Sequence, residues 1–229
     1  MTVPVLRRPR LLDAFCCAGS ASVGYERAGF DVVGVDIVDQ PNYPFEFHLG
    51  DAIEFIREHG HEFDFIHTSP PCQASCTLTR GTNKGRVYPQ LIPQTRAALA
   101  AVGVPSVIEN VMGADIRRDL VLCGEMFGLG VIRHRAFELS GWRAVQPAHR
   151  RHRGYVRGWR HGVYRDGPYL AVHGQGGGKG SVAEWQAAMG ISHTDVRHEI
   201  AEAIPPAYAE HIGAQALSHL TANTAARKG

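Results

Sequence analysis

The chain has 229 residues, 44% of them hydrophobic and 20% charged, with a formal net charge of +2. That balance excludes long disorder and collagen-like repeats as the main plan, and no apolar run approaches the roughly eighteen residues of a spanning helix. Arg7, Arg8 and Arg10 precede an apolar stretch that Asp13 interrupts at once, so no secretion signal is expected and a soluble, cytoplasmic protein is.

The length suits one domain or one domain with a small appendage. Residues 10–15 read as a buried strand, 16–21 as a turn of small residues, and 22–29 as a helix stopped by Gly29. Residues 31–36 form a second apolar run ending in Asp36, and Gly50-Asp51 opens a helix to about residue 59. Residues 63–67 predict a third strand, 69–86 a polar loop, 89–102 a helix and 105–109 the next strand. A further strand starts at Arg133 and Arg135, which lie two apart and so on one face, and runs through Phe137. Residues 181–219 predict two or three helices with a break at Pro205-Pro206, and the tail from Thr221 is expected to fray. Strands alternating with helices predict an α/β, Rossmann-like fold: a mostly parallel sheet with helices on both faces and a ligand cleft at the carboxyl ends of the strands. The expected division is a core over 1–140, a small basic lobe over 141–180, and helices over 181–229 that return to the core.

Charge is unevenly distributed. Between Trp142 and Arg165 stand seven arginines and no acid, leaving 17 basic residues against 22 acidic ones elsewhere. Tyr155, Trp159 and Tyr164 are interleaved with these arginines, so the segment reads either as a solvated loop or as a phosphate-contacting surface with stacking aromatics. Gly174-Gln-Gly-Gly-Gly-Lys-Gly180 lacks the strand, turn and Lys-Ser/Thr of a phosphate loop and reads as a hinge. The five cysteines form no disulfide ladder. A metal site is not expected, because His149 and His152 with Cys123 or Cys76 show no paired ligand spacing along the chain.

Three stretches carry chemistry. Asp13-Ala-Phe-Cys-Cys-Ala-Gly-Ser20 joins the first strand to the first helix, where small residues let a ligand approach the backbone. Asp36 follows about twenty residues after that turn, where an acid can take ribose hydroxyls, and Asp51 at the next strand end could bind an adenine amino group. Together they point to an adenosine-type cofactor, and the lack of a phosphate-binding glycine pattern with lysine disfavours ATP. Thr68-Ser-Pro-Pro-Cys-Gln73 stiffens the chain past a strand end and presents Cys72 as a nucleophile. Glu109 ends the following strand near the same cleft.

In order and spacing these residues resemble the cytosine-5 DNA methyltransferase family. Residues 13–20 resemble its SAM-binding motif, Pro70-Pro-Cys-Gln73 its Pro-Cys motif, Glu109-Asn-Val111 its base-recognition motif and Arg133-His-Arg135 its arginine motif. Ala203-Ile-Pro-Pro-Ala-Tyr208 resembles its final motif, so the likeness spans residues 11–217. It implies S-adenosyl-L-methionine (SAM) as cofactor, with contacts from Phe15, Ala18, Gly19, Ser20, Asp36, Asp51, Ala52, Pro71, Ala203 and Ile204. The substrate implied is double-stranded DNA with its target cytosine flipped out. Cys72 would attack carbon 6 of the ring, Glu109 would engage nitrogen 3, and Arg135, supported by Arg133, would hold the base and catalytic loop. DNA contacts would come from Gln73, Arg80, Lys84 and Arg86 in a closing loop, and from Arg150, Arg151, Arg153, Arg157 and Arg160.

The chain departs from the family pattern at four places. Cys17 and Ser20 stand where the first motif has glycine, Val131 stands where glutamine precedes the arginines, and Ala201-Glu202 replaces Gly-Asn before the final motif. The interval for target recognition is short, about 141–180, as in compact orphan enzymes of phages and prophages. These departures leave open a modified SAM, a transfer-RNA cytosine-5 methyltransferase, and a catalytically silent nucleic-acid-binding homologue.

Overall fold

The computed structural model describes residues 7–71, 91–174 and 180–226. Cys72, Gln73, Cys76, Arg80, Lys84 and Arg86, the start of the helix expected from residue 89, and most of the glycine-rich hinge lie outside the described residues, as does the side chain of Arg160.

In chain order the elements are β1 (Arg10–Ala14), α1 (Ser20–Ala28), β2 (Asp31–Asp36), β3 (Glu46–Leu49), α2 (Ala52–His59), β4 (Phe65–Thr68), α3 (Leu91–Val102), β5 (Ser106–Val111), β6 (Leu120–Leu122) and β7 (Arg135–Ser140). They continue with β8 (Gly158–Arg160), β9 (Val163–Arg165), α4 (Val182–Met189), α5 (Arg197–Glu202) and α6 (Pro206–Ala226). Seven strands form one sheet in the order β3-β2-β1-β4-β5-β7-β6. The first five are parallel, and β7 pairs antiparallel with β5 and with β6.

Period-two alternation sorts neighbouring apolar residues onto opposite faces of this sheet. Leu11, Val32, Phe65 and Val107 pack on one face with Tyr25 of α1 and with Tyr208 and Ile212 of α6. Leu12, Val33, Ile66 and Ile108 pack on the other with Ile53 and Ile56 of α2 and Leu99 of α3. The parallel strands are therefore buried on both faces, which is why their sequences read as continuous apolar runs. A third cluster joins Val131 and Val172 to Trp185, Met189, Ile191 and Ile200, so α4 and α5 pack with the segment leading into β7.

The structure adjusts several expected boundaries. α1 begins at Ser20, two residues early, because Gly19 takes φ 84° and caps it. The seventh strand begins at Arg135, and Arg133 precedes it. The tail does not fray at Thr221, since α6 runs to Ala226. β3, the strand that ends just before Asp51, and β6 are short, and their bounds come from pairing with β2 and β7.

α1 and α6 meet closely at Gly24, where an added Cβ would lie 2.1 Å from the Pro206 carbonyl oxygen and 2.8 Å from Ala209 Cβ. Gly24→Ala is therefore expected to push the helices apart at a cost of about 1–3 kcal/mol. A thermal melt should show Tm lowered by several degrees, and an unchanged Tm would contradict this packing.

Candidate active site

Strand order reverses between β2 and β4 on either side of β1, and a crevice opens there at the carboxyl ends of the strands. One cleft is lined by Asp13, Phe15, Ala18, Gly19 and Ser20 from the β1–α1 turn, Ser69 after β4, Glu109 on β5, and Glu199, Glu202, Ala203 and Ile204 from the α5 region. Six residues expected to hold a cofactor thus come together with Glu109: Phe15, Ala18, Gly19, Ser20, Ala203 and Ile204.

The remaining cofactor candidates are placed differently. Asp36 borders the cleft, and its carboxylate accepts the backbone N–H groups of Cys17 and Val38, both at 3.0 Å. Asp51 caps α2, accepting Ile53 and Glu54 N–H at 2.8 and 3.0 Å. Ala52, the first residue of α2, is buried in the core, and Pro71 is exposed; neither lines the cleft. Next to Asp36 the side chains of Ile37, Val38 and Leu49 are 71%, 59% and 64% exposed, an apolar shelf at the ends of β2 and β3. The sequence signal for it was two aliphatic residues directly after a strand-ending acid.

In the β1–α1 turn, Cys17 stands where the resembled motif has glycine, and the backbone there is glycine-like. Phe15 and Cys17 both take left-handed φ values, 61° and 46°. Cys17 thus adopts the conformation a glycine would take freely, at a cost of roughly 1–2 kcal/mol.

Asp13 is buried beneath this turn. Ser22 Oγ donates to its Oδ2 at 2.5 Å and in turn meets Tyr43 Oη at 2.7 Å, while Oδ1 has no hydrogen-bond partner. Burial, with a smaller push from Asp36, moves the Asp13 carboxyl up to about 7.

Glu109 sits where β5 and β7 cross-register. Antiparallel pairing sets Val111 opposite Arg135, so the start of β7 lies over the carboxyl end of β5. Arg135 Nε stands 3.0 Å from Glu109 Oε1, an ion pair by distance. The contact is one of charge and distance, since no aligned hydrogen bond reaches that oxygen among the described residues. Burial pushes the Glu109 carboxyl above its ordinary range, against the pull of Arg135, Arg133 and a hydrogen bond from Ser69.

Three further residues stand behind this pair. His67, fully buried on β4, meets Tyr25 Oη through Nδ1 and Ser69 Oγ through Nε2, each at 2.9 Å. Burial pushes His67 down to about 3, so the imidazole is neutral. One proton arrangement satisfies the whole chain: Tyr25 donates to Nδ1, Nε2–H donates to Ser69, and Ser69 donates to the Glu109 carboxylate. Asn110 Nδ2 donates to the Pro70 carbonyl at 2.9 Å, which anchors the chain two residues before Cys72. No spacing rule reveals the Tyr25–His67 and Asn110–Pro70 contacts, because each joins residues about forty positions apart in the sequence.

Arg133 is used differently from Arg135. Its guanidinium donates to the carbonyls of Val172 at 2.6 Å and Ala201 at 2.7 Å, and its own carbonyl accepts Tyr208 Oη at 2.7 Å. It ties the segment before β7 to the final helices.

In the basic segment, Arg150 and Arg151 are exposed and form no ion pair among the described residues. Arg153 pairs with Glu125 at 2.9 Å and lies over the Tyr169 ring, so it is engaged within the protein. Arg157 stands 3.7 Å from Glu184 and 3.9 Å from Asp166. β8 and β9 form a hairpin carrying Trp159 and Tyr164, 63% and 49% exposed, with ring centroids 5.7 Å apart. The aromatics therefore face outward.

No protein-family model matches the chain and no curated protein matches its sequence. Solved structures do match. One, described as a DNA modification methyltransferase encoded within an Escherichia coli prophage, aligns at TM-score 0.59 and 14% identity over 93% of this chain and 99% of that one. The Dnmt2 methyltransferase of S. pombe aligns at TM-score 0.62 and 13% identity, over 93% of this chain and 99% of that one. The chain has the Rossmann-like fold of these methyltransferases.

Proposed function

We propose that this protein is a SAM-dependent methyltransferase of the cytosine-5 family, acting on carbon 5 of cytosine in DNA. The observation that carries the reading is the convergence of the Glu109–Arg135 pair, the β1–α1 turn and Ala203-Ile204 on one cleft, with Asn110 anchoring the segment that leads to Cys72.

The cleft fits a sulfonium cofactor. Among the described residues it is lined by four acids and no basic residue, and the buried Asp13 Oδ1 lacks a partner among them. Phe15, Ala18, Gly19, Ser20, Ala203 and Ile204 would hold the cofactor, Asp36 would take its ribose, and Ile37 would cover its adenine. SAM, when bound, supplies an activated methyl group to carbon 5 of the base.

The remaining chemistry belongs to the side chains. The Cys72 thiolate adds to carbon 6 of the flipped cytosine, and the displaced electron pair moves toward nitrogen 3 and carbon 5. Glu109, whose carboxyl burial pushes upward, hydrogen-bonds or protonates nitrogen 3 and so stabilises that charge. Arg135 fixes the Glu109 carboxyl, and Arg133 acts as a positioning residue through its backbone partners. Loss of the carbon-5 proton restores the ring double bond and expels Cys72. Arg150, Arg151 and the Trp159–Tyr164 hairpin would meet the nucleic acid, with Arg80, Lys84 and Arg86 contributing from the Cys72 segment.

Nucleosides from DNA and from tRNA of cells expressing the protein, or its Cys72→Ser variant, test this reading by mass spectrometry. The expected result is 5-methylcytosine enriched in DNA only with Cys72 intact. A heavier cytosine adduct in DNA would keep the mechanism and change the cofactor. Enrichment in tRNA alone would move the substrate to RNA. No modification in either, from well-expressed protein, would support a silent binder.

A further inference from the structure

Four potential metal ligands from three separate segments meet near the end of β6 and the start of β7. Cys123 follows β6, His134 stands between Arg133 and Arg135, and His149 and His152 come from the start of the basic segment. One ligand atom from each, three imidazole nitrogens and a thiol sulfur, lie within 4.8 Å of one another. His134 Nε2 is 3.1 Å from His149 Nε2, and Cys123 Sγ is 3.5 Å from His152 Nε2. Tetrahedral zinc with Zn–N near 2.05 Å and Zn–S near 2.3 Å has ligand edges of about 3.3 Å between nitrogens and about 3.6 Å between nitrogen and sulfur. The two distances match those edges.

We infer that Cys123, His134, His149 and His152 form a structural zinc site that clamps the basic segment to the edge of the central sheet.

The donor set favours this ion. One thiolate with three imidazoles is a borderline-soft set, suited to zinc rather than to magnesium or calcium. Four protein ligands close the coordination sphere, which marks a structural and not a catalytic centre. The sulfur also accepts hydrogen bonds from the backbone N–H groups of Glu125 and Arg133, partners that orient a ligating thiolate. Tyr169 packs behind His152, with ring centroids 6.1 Å apart, and its hydroxyl is held by Glu125. Imidazole–imidazole hydrogen bonds alone explain the cluster poorly, because they give no reason for a thiol and three rings to converge. Absence of paired spacing in the sequence was no obstacle, since the sheet edge supplies Cys123 and His134 and the basic segment supplies His149 and His152. The site would hold the backbone between Arg133 and Arg135 in place, so its metal would act on the cleft only through position.

Metal content of the untagged full-length protein tests the inference independently of any activity. After expression with zinc in the medium and dialysis into non-chelating buffer, elemental analysis should give one zinc per chain. Cys123→Ser and His149→Ala should each lower that to a small fraction, while His61→Ala, an exposed histidine elsewhere, should leave it unchanged. Should those variants fail to fold, cobalt added to the metal-stripped wild-type protein gives a second readout: intense tetrahedral ligand-field bands and a thiolate charge-transfer band. Metal-free, folded wild-type protein that gives only weak octahedral cobalt spectra would overturn the inference. So would zinc retained at full stoichiometry by folded Cys123→Ser and His149→Ala.

Discussion

Glu109→Gln is expected to lower the methyl-transfer rate by about 10²–10⁴-fold, the usual range for loss of a general acid. Glutamine keeps the shape and still offers a hydrogen bond, but it has no proton to give to ring nitrogen 3. Glu109 is 6% exposed, and burial pushes its carboxyl above the ordinary range, the direction that favours the proton-carrying form. The sign of the pH effect follows. The active form of Glu109 carries the proton, so raising the pH through its shifted value removes activity, whereas Cys72 needs to lose its proton. The rate profile of the wild-type protein should therefore be bell-shaped, and Glu109→Gln should lose the alkaline limb. Single-turnover transfer across a pH series checks this. A variant within a few-fold of wild type would remove Glu109 from the chemistry, although it would leave the fold assignment untouched.

Asp13→Asn is expected to change how stability depends on pH. The Asp13 carboxyl, ordinarily at 3.8, is moved up to about 7 in the fold by burial. Between those values the folded protein holds a proton that the unfolded chain has released, so this group lowers stability as pH rises. No penalty exists below about pH 4, and the penalty is full above about pH 7. The gap corresponds to on the order of 4 kcal/mol. Asparagine does not titrate and still accepts the Ser22 hydrogen bond. Its amide would lie where Oδ1 now lacks a partner, a cost that does not vary with pH. The Tm of Asp13→Asn relative to wild type should therefore rise by on the order of 10 °C between pH 4 and pH 8. A difference constant across that range would contradict the buried-acid account. On the proposed function, added SAM should stabilise wild type more than the variant at pH 8, because an ionised Asp13 would add negative charge to the lining of a cleft that would hold a cation.

Both predictions concern side chains whose positions were legible in the sequence to different degrees. β2 was readable residue for residue because Val32, Val33 and Val35 are buried and Asp36 ends the run. α2 announced its start through Asp51, which caps it. The bounds of β3 and β6 were not readable. Three of the four residues in Glu46–Leu49 are exposed, and Leu120–Leu122 is too short to show a period, so pairing and not burial defines them. In the site, the motif residues of the β1–α1 turn, Glu109, Arg135 and Ala203-Ile204 could be anticipated; the fold brings the turn, Glu109 and Ala203-Ile204 to one cleft and sets Arg135 3.0 Å from Glu109. Asp13 was visible only as part of a motif, because its burial and its unpartnered oxygen are tertiary facts. His67, Ser69 and Asn110 stand behind Glu109 and Pro70 through contacts that cross between strands. Of the arginines expected to meet nucleic acid, Arg153 is committed to Glu125, a pairing 28 residues distant in the chain that composition cannot reveal.

Covalent trapping tests the central claim most directly. Duplex DNA in which cytosine is replaced by 5-fluorocytosine has no carbon-5 proton to lose, so elimination of the enzyme sulfur is blocked after methyl transfer. Incubated with the protein and SAM, then denatured and resolved by mass, such DNA should carry one protein chain bound through Cys72, and the adduct should be missing with Cys72→Ser or without SAM. A folded, SAM-binding protein that methylates ordinary cytosine but forms no adduct with this DNA would contradict the account.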